Sequence, residues 1–356
     1  MGKKQKGKIE SVILVLFTLI AVATALLLFF VYTKPGKRLT SKMVAGYLHG
    51  SVNYVAGNRS KGSVPKNNPV DSKVEEEETA EKDNPEENIP VEEKEDAYYH
   101  ILFLGEEALK TSAGKGRTDS IILVTIDGEQ KRVMLTSVLR DCYVEPEGMY
   151  PCKLNAVYAK QGVNGVNRII YEKLGVWPDG YVKVGFDSFE AIIDLLGGAE
   201  VTLTAQEAEY LNTHDYISKE EYRNVTEGTQ VLNGNQTLGY CRVRYVPNCN
   251  GTKYDYGRTE RQRMVLSNLF ERYKEAGITK WFKILKEALG YIETDISEEL
   301  MEELIYTIYD GEIRDMEQYQ IPVKGTFHSR DSIGNVTSTL EVDWKENRNY
   351  FWNLLK

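Results

Sequence analysis

The longest apolar run of the chain lies close to its start. Residues 11–33, SVILVLFTLIAVATALLLFFVYT, carry no charge, and four lysines precede them within residues 1–10. A helix of that length extends about 34 Å, enough to cross a hydrocarbon core of about 30 Å. A cleaved signal peptide is the alternative, but the apolar core of a signal peptide is only about 7–15 residues long. We expect residues 1–10 to be cytoplasmic, residues 11–33 to be an uncleaved transmembrane anchor, and the rest of the chain to be extracellular.

Residues 34–96 are predicted to form an extracellular stalk with an acidic linker. Apolar positions in 38–55 recur at helical spacing and indicate a short interfacial or juxtamembrane helix. Residues 57–96 are too polar to form a core. The stretch 71–96 holds 13 acidic residues and 3 lysines, which accounts for the net charge of −9 of the whole chain. Since the rest of the chain is close to neutral, its charge does not favour binding to nucleic acid.

The region 97–345 alternates between strand-like and helix-like patterns. Strand patterns lie at 100–107, 120–127, 132–139, 181–186, 200–203 and 317–321. Helical patterns lie at 163–174, 187–196, 204–212, 233–239, 259–274, 279–289 and 297–309. An Asp127–Gly128 turn joins the second and third strands as a hairpin. Such alternation predicts an α/β fold, a three-layer α/β/α sandwich with a central mixed sheet, and leaves 346–356 as a C-terminal tail.

The stretch 240–262, YCRVRYVPNCNGTKYDYGRTERQ, gathers four arginines beside acidic residues. If its first six residues are extended, Arg242 and Arg244 share one face of a strand. From Arg258 the period is helical and places Gln262 one turn later, at the start of a stripe that faces the core. Burying a guanidinium is costly unless an anion meets it. The pattern is compatible with a phosphate or pyrophosphate site, and also with salt bridges inside the domain.

Charged residues also lie at the ends of other predicted strands. Glu107 closes the first strand, Arg117 and Asp119 precede the second, and Arg140 and Lys153 follow the third. Loops at the strand ends of an α/β sheet commonly build sites, and carboxylate oxygens suit Mg²⁺. Each of these signals is weak alone. The chain has four histidines and no GxSxG, Walker or HExxH motif, so histidine-based catalysis is not indicated.

The four cysteines form two close pairs in the sequence, Cys142 with Cys152 and Cys241 with Cys249. In an oxidising exterior these pairs are candidates for local disulfides, with free buried thiols as the alternative. A disulfide between Cys241 and Cys249 would fix the loop that separates them. The spacing of the cysteines does not match a metal–thiolate site.

Taken in order, these residues resemble the motif series of the LytR-CpsA-Psr family, membrane-anchored extracellular phosphotransferases of Gram-positive envelopes. The matching positions are Glu107, Arg117 with Asp119, Arg140 with Asp141, Lys153 with Asn155 and Tyr158, Arg242 with Arg244, and Asp255 with Arg258, Arg261 and Gln262. The resemblance covers residues 97–345, the whole predicted extracellular domain. Two positions depart from the family pattern: Glu107 replaces the usual Asp, and Leu139 replaces the usual Pro.

The resemblance implies an enzyme that transfers a phosphoryl-linked glycopolymer from a polyprenyl-pyrophosphate carrier to a peptidoglycan hydroxyl and releases polyprenyl phosphate. The catalytic residues that it implies are Asp119, Arg140, Arg258 and Gln262. The implied pyrophosphate ligands are Arg117, Arg140, Lys153, Arg242, Arg244, Arg258 and Arg261. Mg²⁺, or Mn²⁺, would be held by Asp119 with Glu107 or Asp255. Such a set of cations suits the negative charge that develops during phosphoryl transfer.

The resemblance also implies a tunnel for the polyprenyl tail, lined by apolar helix faces. Candidates for its lining are Ile192, Leu195, Leu196, Val265 and Leu269, with ordinary core packing as the alternative for each. Two other functions stay open. With water as the acceptor the same site would be a polyprenyl-pyrophosphate pyrophosphatase, and without turnover it would be a sensor or regulator that binds a lipid-linked precursor. Nucleic acid is not an expected partner, because the anchor places the domain outside the cell.

Overall fold

The structure of the protein, a computed structural model, describes residues 32–56, 98–106, 116–274, 286–313 and 315–356. Its strands are β1 (Asn53–Tyr54), β2 (Tyr98–Glu106), β3 (Thr118–Asp127), β4 (Arg132–Val138), β5 (Tyr143–Val144), β6 (Cys152–Lys153), β7 (Gly180–Gly185), β8 (Ala199–Leu203), β9 (Gly228–Leu232), β10 (Glu293–Thr294), β11 (Asp315–Ile321), β12 (Phe327–Ile333) and β13 (Val336–Val342). Its helices are α1 (Lys34–His49), α2 (Leu154–Leu174), α3 (Phe186–Leu195), α4 (Ala205–Thr213), α5 (Gly234–Arg242), α6 (Tyr254–Lys274), α7 (Glu298–Asp310) and α8 (Trp344–Leu354), with a 3₁₀ turn at Glu220–Tyr222.

A mixed sheet of seven strands forms the centre of the domain, in the order β1-β10-β7-β2-β3-β4-β11. Strands β2, β3 and β4 form an antiparallel meander. Strand β7 runs parallel to β2, and β11 runs parallel to β4. The expected hairpin at Asp127–Gly128 joins β3 to β4, with Asp127 paired to Arg132.

Both faces of the central sheet are covered, which explains why its middle strands are almost continuously apolar. On one face Leu123 of β3 packs in a core with Ile169 of α2 and Phe351 of α8. On the other face the preceding β3 residue, Ile122, packs in a second core with Leu304 of α7. Alternate residues of one strand thus enter opposite cores. The predicted α/β class with a central mixed sheet is confirmed, with helices on both faces.

A smaller two-stranded sheet, β8 paired with β9, lies outside the central sheet. Helices α3 to α6 surround it and form a separate core, in which Ile193, Val201 and Leu211 are at most 1% exposed. We call this the small core. The expected strand at 200–203 is therefore present, but it is not part of the central sheet.

The segment 240–245 is the end of a helix and not the expected strand. A capping box at its N-terminus starts α5, and the last turn of the helix buries Tyr240 in the small core. Val243 ends the helix with an extended backbone, so Arg242 lies on the helix and Arg244 lies beyond it. The two arginines therefore do not share a strand face. Helix capping and the burial of Tyr240 outweigh the alternating pattern.

An ion pair without solvent exposure ties α6 to the small core. Arg261 Nε donates to Glu207 Oε1 at 2.7 Å, and both side chains are 0% exposed. The same guanidinium donates to the carbonyl oxygens of Val243 at 3.1 Å and Val246 at 2.9 Å. Glu207 also accepts from the backbone nitrogen of Thr204, at the start of α4, at 2.9 Å. Arg261, which we expected to bind pyrophosphate, is instead a structural cation whose donors are taken by the fold.

Both ends of the described chain pack onto the domain. Ala45 and Leu48 of α1 are buried in one core with Met301 of α7, and β1 pairs with β10. The expected helix after the anchor is present, but it belongs to the domain instead of the stalk. At the other end, Phe351 of α8 is fully buried in the core that contains Leu123. The expected tail at 346–356 is therefore mostly a helix of the domain.

Several expectations concern segments that the structure does not describe. The predicted anchor at 11–33 and the acidic linker lie almost entirely outside the described residues, as does most of the helix expected at 279–289, of which 286–289 are helical. None of the described helices is long and apolar enough to cross a membrane. The antiparallel hairpin of β12 and β13 was not predicted at all, because most of its positions are polar and exposed.

We predict that Glu207→Gln lowers the free energy of unfolding by about 3–5 kcal/mol, because Arg261 would keep a buried charge without its counter-ion. The matched control is Glu147→Gln, which removes an ion pair to Arg168 whose side chains are 78% and 50% exposed. That control is expected to change stability by less than about 1 kcal/mol. Equilibrium urea unfolding measures both variants, and equal midpoints would contradict a structural role of the buried pair.

Candidate active site

Charged residues meet at one end of the central sheet, where β2, β4 and β7 finish and β3 begins. Six of them, which we name the arginine–aspartate cluster, are Asp119 of β3, Arg140 and Asp141 after β4, Arg244 after α5, and Asp255 and Arg258 of α6. Because β3 is antiparallel to both of its neighbours, its first residues lie beside the last residues of theirs. Of the strand-end residues that we expected to form a site, Asp119 and Arg140 therefore lie together.

The carboxylate of Asp255 is surrounded by three arginines. Its Oδ2 accepts a hydrogen bond from Arg244 Nη2 at 2.9 Å. Its Oδ1 lies 2.9 Å from Arg258 Nη2 and 3.9 Å from Arg140 Nε. Arg140 in turn donates to Asp119. Because Asp119 and Asp141 also lie beside these arginines, the cluster sets three carboxylates against three guanidinium groups.

Several polar atoms of the cluster are buried without a hydrogen-bond partner among the described residues. They are Nε of Arg140 and Arg244, Nε and Nη2 of Arg258, Oδ1 of Asp255, and Oε1 of the adjacent Gln262. Arg258 Nη2 and Asp255 Oδ1 are close enough for an ion pair but are not aligned for a hydrogen bond. Buried donors normally find partners in native proteins. The unused guanidinium donors suit an anion with several oxygens, such as a phosphate.

Burial and charge act in opposite directions on the cluster. Burial lowers the pKa of Arg258 to about 10 although Asp255 raises it, so the guanidinium stays charged at neutral pH. Burial also opposes the charge of Arg140, but Asp119 and Asp255 outweigh burial and raise its pKa. Burial and the neighbouring carboxyl group of Asp141 raise the pKa of Asp255, although Arg258 and Arg244 lower it. Burial also raises the pKa of Asp141, but Asp255, Arg140 and Lys153 together outweigh burial and lower it.

An apolar cavity of about 690 Å³ opens beside the cluster. Arg140, Arg244 and Arg258 contribute to its lining, together with Gln262. Most of the remaining lining is apolar and comes from the sheet, from α3 and α6, and from residues near 290, for example Phe103, Val184, Phe189, Leu266 and Leu289. The cavity therefore offers an apolar interior with cationic groups along part of its wall, which suits an amphiphile with an anionic head.

Of the five residues expected to line a lipid tunnel, two do so. Ile192 of α3 and Leu269 of α6 line the apolar cavity. Val265 is instead packed in the small core at 1% exposure, and the residue after it takes its place in the lining. Leu195 and Leu196, at the end of α3, are not part of the described lining. The stripe of α6 that lines the cavity therefore keeps Arg258, Gln262 and Leu269 of the predicted stripe and differs from it at one position.

A polar cavity of about 430 Å³ adjoins the same cluster. It is lined by Arg140, Asp141, Arg244 and Asp255, by Lys153, and by residues of the β12–β13 hairpin. Lys153 Nζ lies 3.1 Å from Asp141 Oδ1, so this lysine reaches the cluster through a carboxylate. Arg140 and Arg244 line both cavities. A ligand that extends into both cavities would therefore place its middle at these two arginines.

The structure separates the other expected pyrophosphate ligands from the cluster. Arg242 lines the apolar cavity, with its guanidinium 5.1 Å from the ring centre of Phe186 and 5.9 Å from that of Tyr216. It forms no ion pair with a described carboxylate. Gln262, which we expected to be catalytic, lines the same cavity next to the cluster and donates to a backbone carbonyl of α5 at 3.3 Å. Arg117 is exposed and lines neither cavity.

The expected metal site stays a prediction. Glu107 lies outside the described residues, and among those described no group of three or more His, Cys, Asp or Glu side chains is arranged to hold a metal ion. Asp119 and Asp255 both lie beside Arg140, which offsets part of their charge. The donor set nevertheless fits a hard cation, because Asp255 Oδ1 is a buried carboxylate oxygen without a hydrogen-bond partner.

All four cysteines are free thiols in the structure, so neither expected disulfide is formed. The register of β5 and β6 sets Cys152 opposite Val144 and not opposite Cys142. Cys241 is buried in α5, whereas Cys249 is exposed in the following loop. That loop is held by hydrogen bonds from two asparagines to a glutamate of α6, at 2.8 and 2.6 Å. Side-chain hydrogen bonds thus replace the disulfide that we expected to fix it.

Two groups of residues that line the cavities were not predicted from the sequence. Phe186, Phe189 and Tyr216 surround the apolar cavity near Arg242. The first two lie almost one turn apart at the start of α3, a spacing that marks an apolar helix face but not a ligand. The second group is the hairpin at 327–342, whose exposed polar strands carry no apolar period from which it could be found.

Comparison with known proteins finds relatives of the domain. The model of the LytR_cpsA_psr family matches residues 66–351. TagV of Bacillus subtilis, a polyisoprenyl-teichoic acid–peptidoglycan teichoic acid transferase, is 34% identical over 202 residues, which are 56% of this chain and 50% of the relative. Biofilm regulatory protein A of Streptococcus mutans is 30% identical over 259 residues, which are 67% of this chain and 60% of the relative. The chain thus spans between half and three fifths of the length of these two relatives.

A solved structure agrees with these matches. The crystal structure of B. subtilis TagV aligns with a TM-score of 0.55 at 29% identity, covering 72% of this chain and 97% of that one. The range matched by the family model contains every strand of the central sheet except β1, and it contains the whole arginine–aspartate cluster. The chain therefore belongs to the LytR-CpsA-Psr family, which the order of its motifs had indicated.

Proposed function

We propose that the protein transfers a phosphoryl-linked glycopolymer from a polyprenyl-pyrophosphate carrier to a peptidoglycan hydroxyl. The observation that carries this proposal is the position of Arg140 and Arg244, which line both the apolar and the polar cavity. A lipid chain suits the first cavity, a pyrophosphate suits the open guanidinium donors, and a glycan suits the second cavity. A lipid-linked glycan has these three parts in this order.

The nature of the cluster supports an enzyme over a sensor. Asp141 and Asp255 lie beside the guanidinium donors, and carboxylates in that position weaken simple binding of a phosphate by repulsion. Their presence is useful where protons or cations take part in a reaction. Among the relatives, TagV carries the name of a transferase, whereas biofilm regulatory protein A carries the name of a regulator. The transferase hypothesis therefore explains more features of the site than the sensor hypothesis does.

The proposed reaction exchanges one phosphorus–oxygen bond for another. The oxygen of the acceptor hydroxyl bonds to the phosphorus that carries the glycan, and the bond from that phosphorus to the bridging oxygen breaks. Polyprenyl phosphate leaves with the bridging oxygen and the electron pair of the broken bond. The hydroxyl proton passes to Asp141, a carboxylate of the polar cavity that Lys153 helps to keep ionised. Arg140, Arg244 and Arg258 stabilise the charge that develops on the phosphoryl oxygens.

We also propose that Mg²⁺, or Mn²⁺, binds beside the pyrophosphate and is held by Asp119 with Glu107 or Asp255. The Oδ1 of Asp255 supports this assignment, because it is a buried carboxylate oxygen that forms an ion pair with Arg258 but accepts no hydrogen bond, and such an oxygen suits a divalent cation. When bound, such an ion polarises the phosphoryl oxygens as a Lewis acid. The residues would hold it through oxygen atoms alone, which suits a hard divalent cation.

We infer that residues 11–33 anchor the protein in the cell membrane, with the domain outside the cell. Helix α1 begins at Lys34, directly after that apolar stretch. Its outer face carries Leu39, Met43 and Tyr47 at helical spacing, exposed by 45%, 66% and 53%. An exposed apolar stripe of this kind suits a membrane interface, where it would be covered by lipid. This position would keep the domain close to a carrier lipid.

We predict that Arg258→Lys lowers the rate of polyprenyl phosphate release by about 100-fold or more, because lysine keeps the charge but loses the forked donors. The assay uses the full-length protein in detergent, with undecaprenyl pyrophosphate carrying an N-acetylhexosamine disaccharide, Mg²⁺ and a peptidoglycan oligomer. Arg263→Lys is the matched control, since Arg263 lies on the same helix and is 6% exposed but lines neither cavity. A comparable loss in both variants would mean that Arg258 acts only in folding.

We expect a chelator of divalent ions to abolish the release of polyprenyl phosphate and added Mg²⁺ to restore it. Asp119→Asn should raise the Mg²⁺ concentration that gives half the maximal rate by about tenfold or more, because one anionic ligand is lost. Asp315→Asn, which changes an exposed residue at the start of β11, should leave that concentration unchanged. A rate that does not respond to the chelator would refute the metal site and leave the role of the arginines standing.

A further inference from the structure

One wall of the polar cavity is built by the β12–β13 hairpin. Its lining residues, which we name the hairpin wall, are Ser329, Arg330, Asp331, Ser338, Thr339 and Leu340. None of them belongs to the motif series on which the family resemblance rests. The opposite part of the lining is the arginine–aspartate cluster with Lys153. The wall therefore faces the place where a phosphoryl group would react.

The hairpin is held at a fixed position relative to the cluster. The backbone nitrogen of Leu340 donates to the carbonyl oxygen of Asp141 at 2.9 Å. The hydroxyl of Thr339 donates to the same oxygen at 3.0 Å. Both bonds reach a residue of the cluster itself, so the hairpin wall and the reacting groups form one continuous structure.

The pairing of β12 with β13 is irregular where the hairpin lines the polar cavity. Arg330 pairs with Thr339 and Ser332 pairs with Thr337. Between these pairs Ser338 has a φ of +50°, in the left-handed region that is costly for a residue other than glycine. Backbone strain of this kind concentrates at functional sites, where it sets the position of a side chain. Here the strained residue is part of the hairpin wall.

The chemistry of the hairpin wall suits sugar hydroxyls. The Arg330 guanidinium is bound to Glu341, with Nε at 2.7 Å and Nη2 at 2.6 Å from the same carboxylate oxygen, so Glu341 offsets part of its charge. The wall then offers the hydroxyls of Ser329 and Ser338 and the carboxylate of Asp331, which forms no ion pair with a described residue. Hydroxyls donate hydrogen bonds to a polyol and accept them from it, and an ionised carboxylate accepts them. The same carboxylate would repel a phosphate.

We propose that the hairpin wall binds the sugar rings next to the reacting phosphoryl group. This inference rests on the proposed transferase function and deepens it, because Arg140 and Arg244 would place the pyrophosphate between the lipid and the sugar. The sugar hydroxyls that the wall recognises belong either to the donor glycan or to the peptidoglycan acceptor. Both present the same chemistry to the cavity, and the experiment separates them.

The test compares the double variant Asp331→Asn/Ser338→Ala with the matched double variant Asp315→Asn/Ser332→Ala, which alters the same residue types outside both cavities. All measurements use the full-length protein in detergent with Mg²⁺. Release of polyprenyl phosphate is followed from undecaprenyl pyrophosphate with and without an N-acetylhexosamine disaccharide. If the wall binds the donor, the ratio of kcat/KM for the glycosylated over the sugar-free lipid falls about tenfold, as expected for lost hydrogen bonds.

If the wall binds the acceptor instead, that ratio holds and the KM for a peptidoglycan tetrasaccharide rises about tenfold. The proposal is overturned if the cavity variant matches its control in both measurements. It is also overturned if the variant loses activity equally with the sugar-free and the glycosylated lipid while the KM for the tetrasaccharide is unchanged.

A failure of the proposed function can be told apart from a failure of the hairpin wall. If the wild-type protein releases no polyprenyl phosphate at all, binding of the free disaccharide and of the tetrasaccharide is measured by NMR titration. Weaker binding in Asp331→Asn/Ser338→Ala than in the matched control supports the wall even without turnover. Equal binding in the two variants, or none to the wild type, refutes it.

Discussion

The cost of burying a guanidinium separates the structural from the functional arginines of this protein. Arg258 and Arg261 lie three residues apart on α6 and are exposed by 3% and 0%. Arg261 meets a carboxylate and two carbonyl oxygens, so the fold itself satisfies its charge. Arg258 shares the carboxylate of Asp255 with other arginines, and two of its nitrogens donate no hydrogen bond to a described residue. Arg261 therefore has no nitrogen left without a partner, whereas an anionic ligand would accept the hydrogen bonds that Arg258 can still donate.

Arg261 also helps to position the arginine–aspartate cluster. Arg261 holds the carbonyl oxygens of Val243 and Val246, which lie on either side of Arg244 in the chain. The backbone of Arg244 is further tied to the start of α6, since its carbonyl oxygen accepts from Tyr254 at 2.7 Å. Donors whose backbone is fixed in this way need little rearrangement when charge develops, which is the condition for electrostatic catalysis. Loss of the buried ion pair would therefore loosen the site as well as the fold.

The sequence predicted what depends on local pattern and missed what depends on distant partners. Five of the seven strands of the central sheet were predictable, because apolar runs bounded by turns form strands, whereas β1 and β10 have only two residues each. Pairing of the predicted strands then brings strand-end residues such as Asp119 and Arg140 together. The structural role of Arg261 could not be predicted, because its partner Glu207 lies 54 residues away in the chain. An arginine that meets a carboxylate and one that meets a phosphate have the same local pattern. The hairpin at 327–342 was not predicted, because its strands are polar and exposed and show no alternation of apolar and polar positions.

The two cavities differ in how they are tied to stability. The apolar cavity is lined by residues of the central sheet and of α3, α5 and α6, so changes to its lining also change packing around the cores. In the hairpin wall, Ser329, Asp331 and Ser338 are exposed and contribute nothing to a core. Substitutions at such positions usually alter stability by less than about 0.5 kcal/mol. Under the proposed function, substitutions in the hairpin wall would therefore change glycan preference with little effect on stability, whereas substitutions around the apolar cavity would also affect the fold.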